Sequence, residues 1–489
     1  MPSILAGLVV FATTAAVLVM EILAGRLLAP YVGVSLETYT GIIGVVLAGI
    51  SLGAWYGGRL ADRVDPRRLL GPLIMAGGAL ALVTVPAVAM AGAAVPGGGP
   101  AAIVLLAAVG FFAPAAVLSA VPPSVVKLQL ANLAETGRIV GWLSALGTAG
   151  AIVGVFVTGF LLVAAFPTRP VLLGLAVALI VGGGILWLWL SPRRDRAGAG
   201  LLALALVGGA LTVAASSPCQ FESAYFCGHI EADPTRPSGR LLWLDALRHS
   251  YVDLENPAHL EFSYSKLIAD ALAARWPDGE PVDAIHIGGG GFTLPRFIRH
   301  TRPGSTNQVL EIDPLLVEVA QSRLGLSTGD GLTVDVGDAR LSLAGHASDS
   351  ADLVVGDAFG GRAVPWHLTT REFLAEIHRV LRPGGVYAMN LIDSPPLGFA
   401  RAEAATLQEV FAHVALLAPA QRVAGDEGGN FVLVASDEPL DAAAIESQIA
   451  ERGGAEIVAD GEALDAFIDG ARSLTDDFAP VDQLLTPRR

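Results

Sequence analysis

Seven stretches of roughly twenty mostly apolar residues follow one another near 4–23, 40–59, 69–93, 101–126, 139–165, 171–190 and 200–216, and none follows later in the chain. A helix that crosses the hydrocarbon core of a bilayer needs a run of about 20 such residues. The first 216 residues therefore read as an α-helical transmembrane bundle of about seven spans. The first run has no basic segment before it, ends at Glu21 and is followed by six more, so it reads as a retained helix and not a secretory signal.

Basic residues in short loops are held on the cytoplasmic side. Arg59, Arg63, Arg67, Arg68, Lys127, Arg138, Arg193, Arg194 and Arg196 fall in one set of alternate loops, and only Arg26 and Arg169 fall in the other. This bias predicts a multi-pass protein of the cell membrane with a cytoplasmic N-terminus. The segment after the seventh run is then extracytoplasmic.

Composition supports a division at residue 216. The whole chain of 489 residues is 53 % hydrophobic, has a mean hydropathy of +0.57 and carries a net charge of −15. Residues 1–216 hold 11 Lys and Arg against 6 Asp and Glu, and residues 217–489 hold 20 against 40. A lipid-soluble part of net charge +5 thus precedes a water-soluble part of net charge −20. Such an acidic surface repels nucleic acid and attracts polycations such as polyamines; it also keeps a domain soluble.

Within the first part, Gly150 and Gly154 form a small-residue stripe that lets helices approach closely. Pro114, Pro122 and Pro123 should kink or end the fourth span. Glu21 is the one acid within a span's apolar run, which makes it a functional candidate or a carboxylate reaching the interface. The run Gly58–Arg63, with Arg67 and Arg68 after it, resembles the cytoplasmic loop between helices two and three of major-facilitator transporters. Seven spans are too few for the two six-helix halves of that family. Cys219 and Cys227 are the only cysteines. In an oxidising compartment they could close a small loop as a disulfide; the alternative is a pair of buried thiols.

Beyond residue 217 the pattern becomes short strands alternating with amphipathic helices. Segments 224–231, 240–245 and 248–253 read as a small β-hairpin subdomain over 217–262. A helix over 263–275 then leads into strands near 282–287, 307–312, 332–336, 351–355 and 385–391 with helices between them. Alternation of this kind predicts a parallel, doubly wound α/β sheet over 263–489.

The first of these strands ends in Gly288-Gly289-Gly290-Gly291, where missing side chains let a ligand approach the backbone. Glu311 follows about 20 residues later, where a carboxylate can take the two hydroxyls of a ribose. Asp338 and Asp357 stand at the ends of the next two strands. Together with Glu311-Ile312-Asp313, Gly337-Asp338-Ala339, the run Asp352–Asp357, Phe262-Ser263-Tyr264, and the segments Thr369–Gly385 and Gly429–Ser436, this set resembles enzymes that use S-adenosylmethionine or its decarboxylated form. Within that class it resembles the polyamine aminopropyltransferases, the spermidine synthases. The whole chain resembles membrane-fused spermidine synthase-like proteins, which implies a Rossmann-like, methyltransferase-type domain behind the helical bundle.

The resemblance implies that Gly288, Gly289, Gly290, Glu311, Asp313, Asp338 and Ala339 bind the nucleoside, with Glu311 on the ribose and Asp338 on the adenine amine. It implies that Asp357 and Tyr264 position the attacking amine, and that the co-substrate is decarboxylated S-adenosylmethionine or S-adenosylmethionine. Two carboxylates of the family are missing, for Gly291 and Gly360 stand in their places, and Ser265 replaces a His or Gln. The expected function is a membrane-bound transferase that moves an aminopropyl or related group from a sulfonium nucleoside to an amine. The alternatives are a non-catalytic nucleoside- or polyamine-binding, transport-coupled protein, and an S-adenosylmethionine-dependent methyltransferase. Expected partners are the bilayer, a small amine or polyamine and a second copy of the chain. The nine histidines show no ligand spacing, so no metal is expected.

Overall fold

The computed structural model describes residues 1–95, 99–130, 133–190 and 196–485. They form two compact units, Met1–Gly228 and His229–Arg489. Arg193 and Arg194, two of the loop cations used above, lie outside the described residues.

The first unit contains six helices long and apolar enough to cross a membrane: α1 (Ser3–Val32), α2 (Leu36–Arg63), α3 (Pro66–Ala94), α4 (Pro100–Gln129), α5 (Thr136–Ala165) and α6 (Thr168–Leu190). The expected seventh span coincides with α7 (Arg196–Ala214), whose described apolar stretch, Ala203–Ala214, is shorter than the other six. Local chemistry sets the turns. Ser35 caps α2 by accepting the Thr38 N–H at 3.2 Å. Asp65 caps α3 by accepting the Arg67 N–H at 3.0 Å, with Pro66 at the first helical position where its missing N–H costs nothing.

Small residues bring the helices together. A Cβ at Gly154 would stand 2.7 Å from the Ala15 carbonyl oxygen, and a Cβ at Gly150 would stand closer still to the Phe11 carbonyl oxygen, so the expected stripe packs α5 on α1. Pro114 does not end the fourth helix. Instead α4 passes through a π turn, Ala108–Phe112, just before it. Pro114 has no N–H to offer the Gly110 carbonyl four residues back, and that carbonyl accepts the Thr84 hydroxyl of α3 at 2.9 Å.

The segment after α7 is bound to the helix ends. Cys219 and Cys227 are joined in a disulfide. Between them, β1 (Phe221–Glu222) pairs antiparallel with the start of β2 (Cys227–Ala232). Arg26 donates to the Glu222 carboxylate at 3.1 Å and to the Ala224 carbonyl at 3.0 Å, and Glu222 also accepts the Thr168 N–H at 3.1 Å. These bonds explain why the division falls at Gly228 and not at the expected residue 216: the disulfide loop belongs with the helices.

In the second unit, β3 (Gly239–Leu244) and β4 (Leu247–Asp253) form an antiparallel pair. Helix α8 (Ser263–Arg275) precedes an eight-stranded sheet made of β5 (Asp283–Ile287), β6 (Thr306–Glu311), β7 (Leu332–Val336), β8 (Ala351–Gly356), β9 (Leu381–Asp393), β10 (His413–Ala418), β11 (Gly429–Ser436) and β12 (Ile457–Asp460). Its order is β12-β10-β11-β9-β8-β5-β6-β7. The half from β7 to β9 is parallel, as the alternation predicts. The five strands expected from the sequence, β5 to β9, thus pair parallel, and β11, β10 and β12 extend the sheet antiparallel beyond them. Short links join β10 to β11, and antiparallel neighbours need no helical crossover. Buried apolar clusters cover both faces of the sheet. The chain reverses direction across the sheet between β5 and β8, and such a switch point leaves a crevice at the carboxyl ends of the strands.

Candidate active site

The crevice is closed at its floor by bonds between strand ends. The Asp357 N–H donates to the Ile287 carbonyl at 2.9 Å, Gly288 N–H to Leu310 at 2.9 Å, and Gly337 N–H to Glu311 at 2.9 Å. Four strand ends, those of β5, β6, β7 and β8, are thereby held in one row. The glycine loop leaves β5 with Gly288 at φ +93°, a conformation that favours glycine, and a Cβ there would stand 2.5 Å from the Asp357 carbonyl oxygen. After the loop, α9 (Thr293–Thr301) begins.

Glu311, at the end of β6, is buried and grips that loop. Its Oε2 accepts the Gly289 N–H at 2.7 Å and the Gly290 N–H at 3.4 Å, while Oε1 accepts the Asp313 N–H at 2.9 Å. Burial raises its pKa above the ordinary carboxylate value, and the three N–H donors oppose that rise. Asp313 is turned inward. Its Oδ1 caps α10 (Pro314–Arg323) by accepting the Leu315 N–H at 3.0 Å, and among the described residues its buried Oδ2 has no hydrogen-bond partner.

Asp338 follows β7 and caps the single turn of α11 (Ala339–Leu343), accepting the Arg340 N–H at 2.9 Å; Ala339 is buried behind it. The other oxygen of Asp338 faces His367 Nε2 at 3.2 Å. Exposed apolar side chains stand around these positions in the chain: Ile312 between Glu311 and Asp313, Val336 just before Gly337, Leu341 on α11, and Trp366 next to His367. Exposed large apolar groups at the strand ends of a ligand crevice suit a flat, apolar-faced base.

Asp357 follows β8. Asn390 of β9 donates to its Oδ1 at 2.8 Å, Tyr264 of α8 donates its hydroxyl to the same carboxylate, and Asn430 of β11 donates to Asn390 Oδ1 at 2.9 Å. Burial pushes Asp357 up to about 6, the two donors opposing it. Burial and the Asp357 charge drive the Tyr264 phenol well above 10, so it stays a proton donor. Sequence reasoning singled out Asp357 and Tyr264, and the structure joins them. It passed over Asn390, which lies in the middle of a strand with no motif to mark it.

The β4 strand supplies two more groups that were missed. Ser250 Oγ accepts the Gly291 N–H at 2.9 Å, and His249 Nδ1 lies 3.3 Å from that hydroxyl oxygen. Burial holds His249 down at about 4, so its ring is neutral at pH 7. A Cβ at Gly291 would stand 2.8 Å from Ser250 Cβ and 3.0 Å from Val252 Cγ2. Side chains of β4 thus fill the space in which a carboxylate at position 291 would stand. Among the described residues there is no cluster of His, Cys, Asp and Glu arranged to hold a metal ion.

No family model matches the chain. Over 150 residues it is 31 % identical to a polyamine aminopropyltransferase of Vibrio vulnificus, a match that takes in 30 % of this chain and 50 % of that protein. Over 142 residues it is 30 % identical to the eEF1A lysine and N-terminal methyltransferase of Homo sapiens, taking in 27 % of this chain and 20 % of that one. The crystal structure of a probable spermidine synthase from Corynebacterium glutamicum shares 30 % identity and covers 53 % of this chain and 97 % of that chain, with a TM-score of 0.49. The chain spans about half the length of the aminopropyltransferase it matches. With the strand-end acids and the glycine loop placed as described, the second unit is a spermidine synthase-like domain that follows six apolar helices.

Proposed function

We propose that the protein is a membrane-bound transferase that passes an aminopropyl or related alkyl group from a sulfonium nucleoside to an amine. The observation that carries this reading is the Asp357 carboxylate, fixed between the Tyr264 hydroxyl and Asn390 at the strand edge that also holds the glycine loop. In this reading Glu311 takes the ribose hydroxyls, Asp338 the base, and the glycine loop the nucleoside's backbone-facing edge, with Gly288, Gly289 and Gly290 presenting no side chain.

The chemistry is a displacement. The amine lone pair forms a C–N bond at the carbon next to sulfur, the C–S bond breaks, and its electron pair neutralises the sulfonium as the thioether departs. The amine begins as an ammonium with a pKa near 10, so it must lose a proton. Asp357 at about 6 orients that ammonium and accepts the proton. Each pKa unit is about 1.4 kcal/mol, so raising the acid from 3.8 to about 6 lowers the uphill proton transfer by roughly 3 kcal/mol. Alignment of nitrogen with carbon supplies most of the remaining acceleration.

A methyltransferase is the second reading, favoured by the β4 side chains beside Gly291. They leave no room for an acid at the position where the aminopropyltransferases hold the cationic end of their donor. Isothermal calorimetry with methylthioadenosine and S-adenosylhomocysteine, followed by the mass of the transferred group, tests both. Absence of binding to either nucleoside overturns both, and the product mass separates them.

We read the first unit as seven crossings, with the β3–β4 pair as part of a small hairpin subdomain on the far side. What supports the seventh crossing is Arg169, at the start of α6, which donates to the Ala215 carbonyl at 2.7 Å and to Ser216 at 2.6 Å. That ties the end of α7 to the beginning of α6, while the start of α7 follows the end of α6. Thr212 also donates to the Leu82 carbonyl of α3. The two cations that depart from the loop bias, Arg26 and Arg169, are both consumed in holding the segment from 215 to 224. The reading places the N-terminus in the cytoplasm and the nucleoside domain outside. Labelling Cys219 and Cys227 in intact cells with an impermeant thiol reagent, after reduction, reports the side: protection until the cells are opened sinks the topology.

A further inference from the structure

The closing segment around Leu474–Val481 is bound into the wall of the crevice. Asp476 receives both ends of the Arg340 guanidinium, Nη1 to Oδ1 at 2.8 Å and Nη2 to Oδ2 at 2.5 Å. It also accepts the Thr370 hydroxyl at 2.7 Å. The segment is anchored two residues before this contact: the Leu474 carbonyl accepts the Arg371 N–H at 2.9 Å, and the Leu474 N–H donates to Thr406 Oγ1 at 2.9 Å.

Arg340 is the second residue of α11, the five-residue helix capped by Asp338. One helical turn of this length does not hold itself in water, because the ordering cost of nucleation exceeds the gain from its few bonds. Its position must come from outside. Buried Ala339 and Leu343 hold one side of it, and Arg340 adds a second hold, since the same guanidinium that meets Asp476 also donates to the His367 carbonyl at 2.9 Å, and His367 faces the second oxygen of Asp338 at 3.2 Å. The bonds therefore run from Asp476 through Arg340 to both partners of the base-facing acid. The fork geometry of guanidinium on carboxylate fixes direction as well as distance, which a lysine or a single bond would not.

We infer that Asp476 is a positioning residue for the nucleoside: it never touches ligand, and acts by fixing Arg340, and with it the Asp338–His367 wall, before ligand arrives. The inference rests on the proposal that this crevice binds a sulfonium nucleoside.

The test uses the full chain in detergent, with methylthioadenosine and S-adenosylhomocysteine as calorimetric probes. Asp476→Asn should weaken binding of the nucleoside that wild type takes by about tenfold, as expected for a misplaced site wall. Turnover at saturating donor should be unchanged, so the effect falls on KM and not on kcat. Asp476→Glu, which keeps the fork, should recover most of the affinity. Equal affinity in wild type and Asp476→Asn overturns the inference, as does a fall in kcat with affinity intact. Should Asp476→Asn fail to fold, Thr370→Val removes a hydroxyl that donates to Asp476 Oδ1 at 2.7 Å and accepts from Arg340 Nη1 at 3.2 Å and from the Phe373 N–H at 3.4 Å, and should weaken binding several-fold; unchanged affinity there overturns it equally. If wild type binds neither probe, the nucleoside reading itself has failed, and that result is visible without any variant.

Discussion

Ser250 Oγ accepts the N–H of Gly291 at 2.9 Å, so a residue of the β3–β4 pair closes over the last glycine of the loop. The contact explains an absence. The resemblance to aminopropyltransferases implies an acid at that position, and here a Cβ would already stand 2.8 Å from Ser250 Cβ. The glycine is a consequence of close packing between two strands far apart in sequence. The same packing places neutral His249 beside Gly290, where a Cβ would stand 3.0 Å from its Nδ1.

Gly291→Asp should therefore not recover a cation site. The added side chain would press on Ser250 and Val252, and overpacking of this kind costs about 1–3 kcal/mol. The expected result is a lower melting temperature with no tighter binding of decarboxylated S-adenosylmethionine. A variant that binds this donor more tightly at undiminished stability would show that the loop has room.

With Asp357 as the proposed proton acceptor, its carboxylate should act on rate and stability in opposite directions. Its pKa is about 6 when folded and near 3.8 when unfolded, so the folded state holds the proton more tightly between those values. Stability from this group is fully present below about pH 4 and is lost as pH rises through 6. Asp357→Asn keeps one acceptor oxygen where the carboxylate has two, and removes the buried charge. It should abolish turnover, leave nucleoside binding within a few-fold, and raise stability at pH 7 by up to roughly 3 kcal/mol. Thermal melts of wild type and variant should converge by pH 4; a gap that persists there contradicts the assignment.

The rate of wild type should fall on the acid side with an apparent pKa near 6, because protonated Asp357 cannot accept the amine's proton. Initial rates at subsaturating amine between pH 5 and 8 measure this limb. An acid limb centred near 4 would mean that the carboxylate is far better solvated than its position between Tyr264 and Asn390 implies.

The place of Glu311 at a strand end, about 20 residues after the glycine loop, was legible in the sequence, and its grip on that loop was not. Strand existence was readable because the residues of β5 to β8 alternate with amphipathic helices. Strand β7 begins and ends at the expected residues, 332 and 336. What sequence spacing cannot show is which distant backbone groups converge. Asn390 and Asn430 are isolated amides inside apolar strands, the Arg340–Asp476 pair spans 136 residues, and Arg26 reaches Glu222 across 196. The antiparallel half of the sheet was hidden for a similar reason. Strands β10 and β12 carry no motif and were not legible at all, and the direction of β11 depends on its pairing with β9, which is not local.

Glu311→Gln tests the double role. All three groups facing the carboxylate are N–H donors, so an amide would turn its own N–H₂ against at least one of them. Loss of a buried hydrogen bond to a charged acceptor costs about 1.5–3 kcal/mol. The variant should melt earlier and bind methylthioadenosine at least tenfold more weakly. Weakened binding at unchanged stability would confine Glu311 to the ligand and deny it the loop.

The helical unit offers a test of how α4 accommodates Pro114. Thr84 donates to the Gly110 carbonyl at 2.9 Å, the carbonyl to which a non-proline residue at 114 could offer an N–H. Thr84→Val removes that donor in an apolar setting and should destabilise the bundle by about 1 kcal/mol, in line with interhelical hydrogen bonds in membranes. Pro114→Ala restores an N–H four residues beyond Gly110. In the Pro114→Ala background the same Thr84→Val change should then cost less, since the carbonyl has a second donor within reach. A double-mutant cycle on the full chain in detergent reads this directly. A coupling indistinguishable from zero would mean that the π turn satisfies Gly110 by itself and that Thr84 is there for packing alone.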